Sequence, residues 1–427
     1  MPANVWCAAP ELKLLTSKGG KSSTTTVLMG AYLTVLEEDA SPDGWYKVKA
    51  FGQEGFVKKE DTAADNNFLK LFFIDVGQGD SCLVETPTKR MLIDGGQYAR
   101  STHNYLTKWK YKWLIAKGYR VRIDAIVVSH FDADHYGGLV SIISNSSFEF
   151  GTIYHNGIAR FSGKKAERPP QYDTDLGQTD KSGSSPRTAL KTSFNNIDDA
   201  RRLLNDGGLN ATFKKFLEAV VGAKDEGRLG NIKRLSAGSP SIDEFDQSNG
   251  LKIKVLGPIV SEEPGDCQYA WFDDESHTVN GHSIVLRLEY GQKSILLGGD
   301  LNIPSEEHLL KNGDTAQFRV DVAKACHHGS SEFTIDFMEA VKPYATVFSS
   351  GDNENYAHPR ADALGCAGRY TRGERSMIFS TELARSYKSS QDIHFGLINC
   401  RTDGGKIVMA KMFEKPKKGD MWDSYTL

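Results

Sequence analysis

The stretch "SHFDADHYGG", residues 129–138, sets His130, Asp132, Asp134 and His135 within six positions and closes on paired glycines. Two carboxylates and two imidazoles held that closely repel one another or stay half-paired in an ordinary loop, and burying them unpaired is costly. A bound cation removes the conflict, so the stretch reads as a metal-ligating loop. The same residue types recur downstream: Asp300 after "SILLGG", His327 and His328 after "DVAKA", and His358 in "DNENYAHP" after "YATVFSSG". Five of the eleven histidines fall in three of these loops, which chance placement would scatter. A lone strand-end His or Asp reads as a cap or turn residue. The ordered set reads as a metal centre, because a solvated charge cluster does not need the imidazoles.

The elements that must carry these loops are short apolar runs. "FLKLFFIDVG", "SCLVET", "KRMLIDGG" and "IDAIVVSH" read as strands, and "STHNYLTKWKYKWLIAKGY" suits a helix. "LKIKVLG", "HSIVLRLEYG", "KSILLGGD", "RVDVAKACHHG", "YATVFSSG" and a hairpin over "DIHFGLINCRTDGGKIVMAKMF" follow. Strands alternating with helices from Phe68 call for a layered α/β domain, whose ligands gather at strand ends. Before it, residues 1–62 carry alternating Val, Tyr, Trp and Phe between Gly- and Asp-rich turns, a small all-β module, and "TAADNN" reads as a linker to a domain over 68–427. Residues 157–248 break the rhythm and read as an insertion. Between Gly151 and Pro240 there are 15 Lys and Arg against 10 Asp and Glu, in a chain of net charge -3. Such an excess could draw a polyanion, or could be no more than a solvated helix face. The chain of 427 residues has six scattered cysteines and no CxxC pair, and it has neither a signal pattern nor an apolar run of spanning length. A reducing, cytoplasmic setting with no membrane partner is the expectation. Cys326 in "DVAKACHHG" reads as a small core residue continuing a strand, and "DVGQGDS" as a tight turn near the site, with Asp80 behind the ligands.

The motifs "IDVGQGDSCLVET…RMLIDGG", "VVSHFDADHYGG", "NGHSIVLRLEYGQKSILLGGDL", "DVAKACHHGSS" and "SSGDNENYAHPR" resemble, in order, the metallo-β-lactamase superfamily. Within it they are similar to the branch typified by the metallohydrolase domain of the DNA-uptake protein ComEC. The resemblance implies an αββα sandwich with a metal site at one edge. "LTVLEE…DGWYKVKAFGQEGFV" resembles bacterial SH3-like barrels and implies a module that recruits a protein partner. The superfamily's usual motif is HxHxDH, and here Asp132 stands in the second His position. Carboxylate oxygen is the harder ligand, so Mn²⁺ or Mg²⁺ is tolerated beside Zn²⁺. The pattern implies two divalent ions, one on His130 and Asp132, the other on Asp134 and His135, with Asp300 bridging and Asp94 buttressing from behind. His358 is placed as the closing ligand and His327 or His328 as proton donor, or the reverse. His277 and His282 are the candidates for a third imidazole of the first ion.

Two such ions would ionise a water and neutralise charge at the attacked centre. The expected reaction is phosphodiester hydrolysis of nucleic acid or a nucleotide by a metal-bridging hydroxide, with Asp134 in the catalytic set and Lys324, Ser330 and Ser331 assisting phosphate binding. Hydrolysis of a small ester, thioester or lactam is the alternative, and a non-catalytic metal-containing binding protein the reading from another class.

Overall fold

The computed structural model describes residues 4–239, 242, 245, 250–263, 266–351, 355–381, 397–417 and 419–427. The start of the expected C-terminal hairpin at residue 392, the "DNE" of the fourth loop and the end of the expected insertion at Ser248 lie outside them.

Two sheets face each other. The larger has nine strands, in the order Leu229–Arg234, Phe148–His155, Val121–Val127, Arg90–Ile93, Cys82–Glu85, Leu69–Phe73, Ile398–Thr402, Ile407–Lys417 and Asp420–Thr426. Its first four strands are parallel and the rest antiparallel. The smaller runs Leu251–Gly257, Val285–Tyr290, Lys293–Leu297, Val322–Lys324, Ala345–Phe348 and Met377–Ser380, parallel from the third strand on. Side chains alternate across a strand, and the alternation assigns the layers. Met91, Ile93, Ala125 and Val127 pack inward against Val255, Leu286, Leu297, Val322 and Val347 of the smaller sheet. Leu92 and Ile126, one residue out of phase, pack outward under Leu139, Ile142, Leu203, Phe213 and Phe216. Leu296 and Ala323 likewise face Leu309, Phe337 and Val341 on the far side. Both faces of each sheet are therefore covered, which is why runs such as "IDAIVVS" read as continuously apolar. The product is a mixed α/β sandwich of four layers.

Residues 157–248 are not an excursion throughout. Helix Ile197–Asp206 starts at Asn196, whose side chain accepts from the Asp198 and Asp199 amides, and ends at Gly207 with φ 74°. With helix Ala211–Asp225 it packs on the large sheet, and Leu229–Arg234 extends that sheet as a parallel edge strand. The periodicity of "DDARRLLND" and "TFKKFLEAVVGA" marked these helices, but no local signal said that the strand after them joins the main sheet. The stretch 101–119, expected as one helix, is three short helical segments, Ser101–Asn104, a π-helical turn over Tyr105–Lys110, and Lys112–Ala116.

The N-terminal residues form an all-β sheet of seven antiparallel strands from Asn4–Cys7 to Thr62–Ala63. Thr62 and Ala63 pair with Cys7 and Trp6, so the expected linker begins inside the sheet. The buried Arg401 guanidinium donates to the carbonyls of Leu28 (3.3 Å) and Met29 (2.8 Å), and Trp422 Nε1 donates to Thr26 O, so this sheet is seated on the large sheet's C-terminal strands.

Candidate metal centre

The parallel strands of both sheets end at one edge and deliver the acids and imidazoles there. Arg90–Ile93 leads to Asp94, Val121–Val127 to Ser129 and His130, Lys293–Leu297 to Asp300, Val322–Lys324 to His327 and His328, and Ala345–Phe348 to Ser349. Asp80 arrives from the turn before Cys82. Gly79 makes that approach possible: its φ is 121°, and a Cβ there would stand 2.2 Å from the Asp134 carbonyl oxygen. Asp94, His327 and His328 hold left-handed backbone, with φ of 56°, 47° and 55°. Non-glycine residues in that region cost about 1–2 kcal/mol each and concentrate at functional sites.

Asp80, His135, Asp300 and His328 present ligand atoms all within 4.8 Å of one another. Asp300 Oδ2 lies 3.1 Å from His135 Nε2 and 3.0 Å from His328 Nε2, and the two imidazole nitrogens are 3.3 Å apart. Asp134 Oδ2 stands 3.4 Å from His328 Nε2. The His130 ring centroid is 4.1 Å from that of His135.

The surrounding hydrogen bonds fix which nitrogen of each ring faces inward. His135 Nδ1 is 2.9 Å from Asp94 Oδ2, and that carboxylate also accepts from Ser129 N and Ser129 Oγ, at 2.8 and 2.6 Å. His328 Nδ1 donates to Ser349 O at 2.9 Å. His130 Nδ1 is 3.2 Å from both Ser129 Oγ and Ser283 Oγ. The Ser129 proton goes to Asp94 and the Ser283 proton to Asn280 O at 2.7 Å. Both hydroxyls must therefore accept from His130 Nδ1, which leaves Nε2 with its lone pair. That Nε2 is buried and has no hydrogen-bond partner among the described residues. An orphaned imidazole acceptor beside converging carboxylates fits a divalent cation, since oxygen-anchored Nδ1 positions are the usual support of metal-binding histidines.

Charge points the same way. Burial alone would raise the Asp300 pKa, but His135, His328 and Lys324 hold it well below the ordinary carboxylate range. Burial would lower His135 and His328; Asp300 with Asp94, and Asp300 with Asp80, push them well above the usual imidazole value instead. The pocket of carboxylates thus demands positive charge, and a cation can take the place of those protons. His130, by contrast, is driven well down by burial and by His135.

Other expected residues stand elsewhere. Asp132 is 3.6 Å from Arg160, which also approaches Asp175 at 3.4 Å, and it is not one of the four converging groups. His358 is also outside the four: Gln78 Nε2 lies 3.3 Å from its Nδ1, and its ring centroid is 6.2 Å from that of His328. His327, His358, Arg360, Ser330 and Ser331 line a cavity of about 350 Å³ next to the centre. His277 lines the same cavity and pairs with Asp274 (2.9 Å) and Glu332 (3.1 Å). His282 is spent on structure, its Nε2 2.7 Å from Ala270 O and its ring stacked on Phe272. Lys324, expected to meet phosphate, is buried and bonded to Asp80 and Gly299 O, 3.5 Å from Asp300, so it neutralises carboxylates rather than facing a substrate. Cys326 does not continue the strand, which stops at Lys324; it begins a tight turn and packs, half-buried, against the cluster around Leu309 and Phe337. Sequence reasoning placed Asp80 too far back, although the flexible "GQG" before it was the signal of a close approach. It missed Ser283 and Gln78, which meet His130 and His358 from 153 and 280 residues away in the chain, and Ser349 and Arg160, which act through a backbone carbonyl and through a lone basic side chain outside any motif.

Residues 74–209 match the family model of the metallo-beta-lactamase superfamily. The fold is a metallo-beta-lactamase fold. The chain is 25% identical over 316 residues to "ComE operon protein 3" of Bacillus subtilis (strain 168), covering 70% of this chain and 30% of that protein. It is 26% identical over 307 residues to "Competence protein ComA" of Neisseria gonorrhoeae, covering 71% and 30%. The chain thus spans less than a third of the length of these curated relatives. Among solved structures it is similar to Igni18, a metallo hydrolase from Ignicoccus hospitalis, with a TM-score of 0.36 and 14% identity over 75% of this chain and all of that one. Among the described residues no helix is long and apolar enough to cross a membrane. Within the metallo-beta-lactamase fold the converging donors sit at the shared edge of the two sheets.

Proposed function

We propose that this protein is a divalent-metal-dependent phosphodiesterase acting on nucleic acid or a nucleotide. The observation that carries the reading is the convergence of Asp80, His135, Asp300 and His328 within 4.8 Å, with Asp134 and the unpartnered His130 Nε2 beside them. Divalent ions held there, Zn²⁺ or Mn²⁺ and also Mg²⁺, would supply an ionised water at neutral pH and would offset negative charge at the attacked centre. Asp94, Ser129, Ser283 and Ser349 keep the imidazole lone pairs turned inward. Gln78 donates to His358 Nδ1, so the ring's proton resides on Nε2, where it can give a hydrogen bond to the charge that builds on a departing oxygen. Arg360 and the Ser330 hydroxyl give the neighbouring cavity donors that a phosphoryl group needs, which favours a phosphodiester over a lactam or thioester. The N-terminal sheet, which we read as SH3-like, would recruit a protein partner. Six free cysteines, four of them buried, suit a cytoplasmic setting.

The test is hydrolysis of bis(p-nitrophenyl) phosphate by chelator-treated protein on readdition of Zn²⁺ or Mn²⁺, beside nitrocefin and a lactone. Turnover of the phosphodiester that returns with metal is the expected result. Turnover of nitrocefin or the lactone alone would overturn the substrate class, and no turnover of any of them by metal-loaded protein would favour a binding protein.

A further inference from the structure

We propose that the helical stretch 101–120 is a docking surface for single-stranded nucleic acid that leads to the metal centre. The proposal deepens the phosphodiesterase reading and rests on it for the purpose of the surface, but not for the binding itself.

Residues 101–123 hold six Lys and Arg and no Asp or Glu. Two of the six are used internally: Lys110 pairs with the buried Glu85 at 2.7 Å, and Arg122 with Asp124 at 3.0 Å. Lys108, Lys112, Lys117 and Arg120 are exposed, and among the described residues none of them meets a carboxylate within ion-pair distance. On the same stretch Trp109, Trp113 and Tyr119 are 55%, 74% and 61% exposed. Lys112 Nζ is 5.7 Å from the Trp113 ring centroid. Trp is among the least favourable residues to leave in water, and three large rings within eleven positions make a deliberate surface.

The opposite side of the stretch is anchored. Leu106 and Tyr111 lie in the core under the large sheet, and Tyr111 Oη donates to Glu85 at 2.9 Å. Thr102 Oγ1 donates to Gly95 O at 2.8 Å, one residue beyond Asp94. The start of the stretch is thus held against the loop that bears Asp94, whose carboxylate supports His135.

The occupant follows from the pattern. Exposed lysines interleaved with exposed rings match a backbone of phosphates carrying unpaired bases, where ring faces stack the bases and ammonium groups meet the phosphates. A helix lying on a membrane needs a contiguous apolar face with the cations to its sides; here Leu114 is the one exposed aliphatic residue of comparable size on the stretch.

Binding of a fluorescein-labelled oligothymidylate by the full chain tests this, read by anisotropy across a salt series. Trp113→Ala should weaken binding about tenfold, from the loss of one stacked base. The triple variant Lys108→Gln, Lys112→Gln, Lys117→Gln should flatten the slope of log affinity against log salt by about 2, roughly 0.7 per phosphate contact. Both should hydrolyse bis(p-nitrophenyl) phosphate at the parent rate, because that substrate is too short to reach the surface. Oligonucleotide affinity and salt slope unchanged in both variants would overturn the proposal. So would loss of binding to phosphatidylglycerol vesicles with oligonucleotide binding intact, which would assign the surface to a membrane. If the parent fails to cleave any phosphodiester yet binds the oligonucleotide through Trp113, the surface stands and the phosphodiesterase reading falls.

Discussion

Replacing Asp94 by Asn probes the centre while leaving the four converging side chains themselves in place. Asp94 is 1% exposed and holds φ 56°, a backbone region Asn enters readily, so the substitution keeps shape and conformation. The Asn oxygen still accepts from Ser129 N, as Asp94 Oδ1 does at 2.8 Å. Its NH₂ then occupies the place of Oδ2, 2.9 Å from His135 Nδ1 and 2.6 Å from Ser129 Oγ. A donor facing Nδ1 forces that nitrogen to accept, and the imidazole proton moves to Nε2, the atom 3.1 Å from Asp300. The inward lone pair of His135 is lost. Removing the hydrogen-bond support of a metal-binding histidine weakens metal affinity by about 10- to 100-fold, or roughly 1.4–2.7 kcal/mol. Titration of chelator-treated Asp94→Asn with Zn²⁺ or Mn²⁺ by calorimetry should show that loss while the unfolding temperature of the metal-free protein changes little. Parent affinity in the variant would refute the claim that Asp94 sets the ring's tautomer for a cation.

His328→Ala and His358→Ala should separate by assay: the first loses bound metal by elemental analysis, whereas the second retains it and loses phosphodiester turnover by about 100-fold or more. Glu306, buried beneath the site and accepting from Thr334 N (2.5 Å) and Thr334 Oγ1 (2.9 Å), has its pKa pushed by burial up to about 8. Its folded form keeps a proton that the unfolded chain releases above about pH 4.5, so stability should fall by about 1.4 kcal/mol per pH unit from there to about pH 8. Glu306→Gln should remove that slope in urea unfolding run at several pH values; equal slopes would contradict it. Phe213 packs edge-on against Phe131 at 4.9 Å, directly behind the His130 loop, and Phe213→Ala should cost about 3–5 kcal/mol in the same measurement.

Much of this was legible in the sequence because two signals are local. The apolar runs fix strands covered on both faces, and acids and imidazoles at their exits announce the edge where ligands gather. What local pattern does not carry is the direction of a side chain after a turn. His327 and His328 adjoin in sequence, yet successive left-handed residues send His328 to Asp300 and His327 to the cavity. Spacing favoured His358 as a ligand, but the turn after Phe348 sets it against Gln78, nearly three hundred residues away in the chain. Lys324 looked like a phosphate contact because its burial between two carboxylates, Asp80 and Asp300, belongs to tertiary packing alone. Residues 157–248 lacked the earlier rhythm, and only the pairing of Leu229–Arg234 with Phe148–His155 shows that part of the stretch belongs to the sandwich.

Anomalous diffraction from crystals grown with Zn²⁺ or Mn²⁺, recorded at the metal's absorption edge, tests the central claim most directly. A strong peak is expected among Asp80, Asp134, His135, Asp300 and His328, within bonding distance of the inward imidazole nitrogens. Metal bound only elsewhere on the protein, with these side chains still joined to one another by hydrogen bonds, would contradict it.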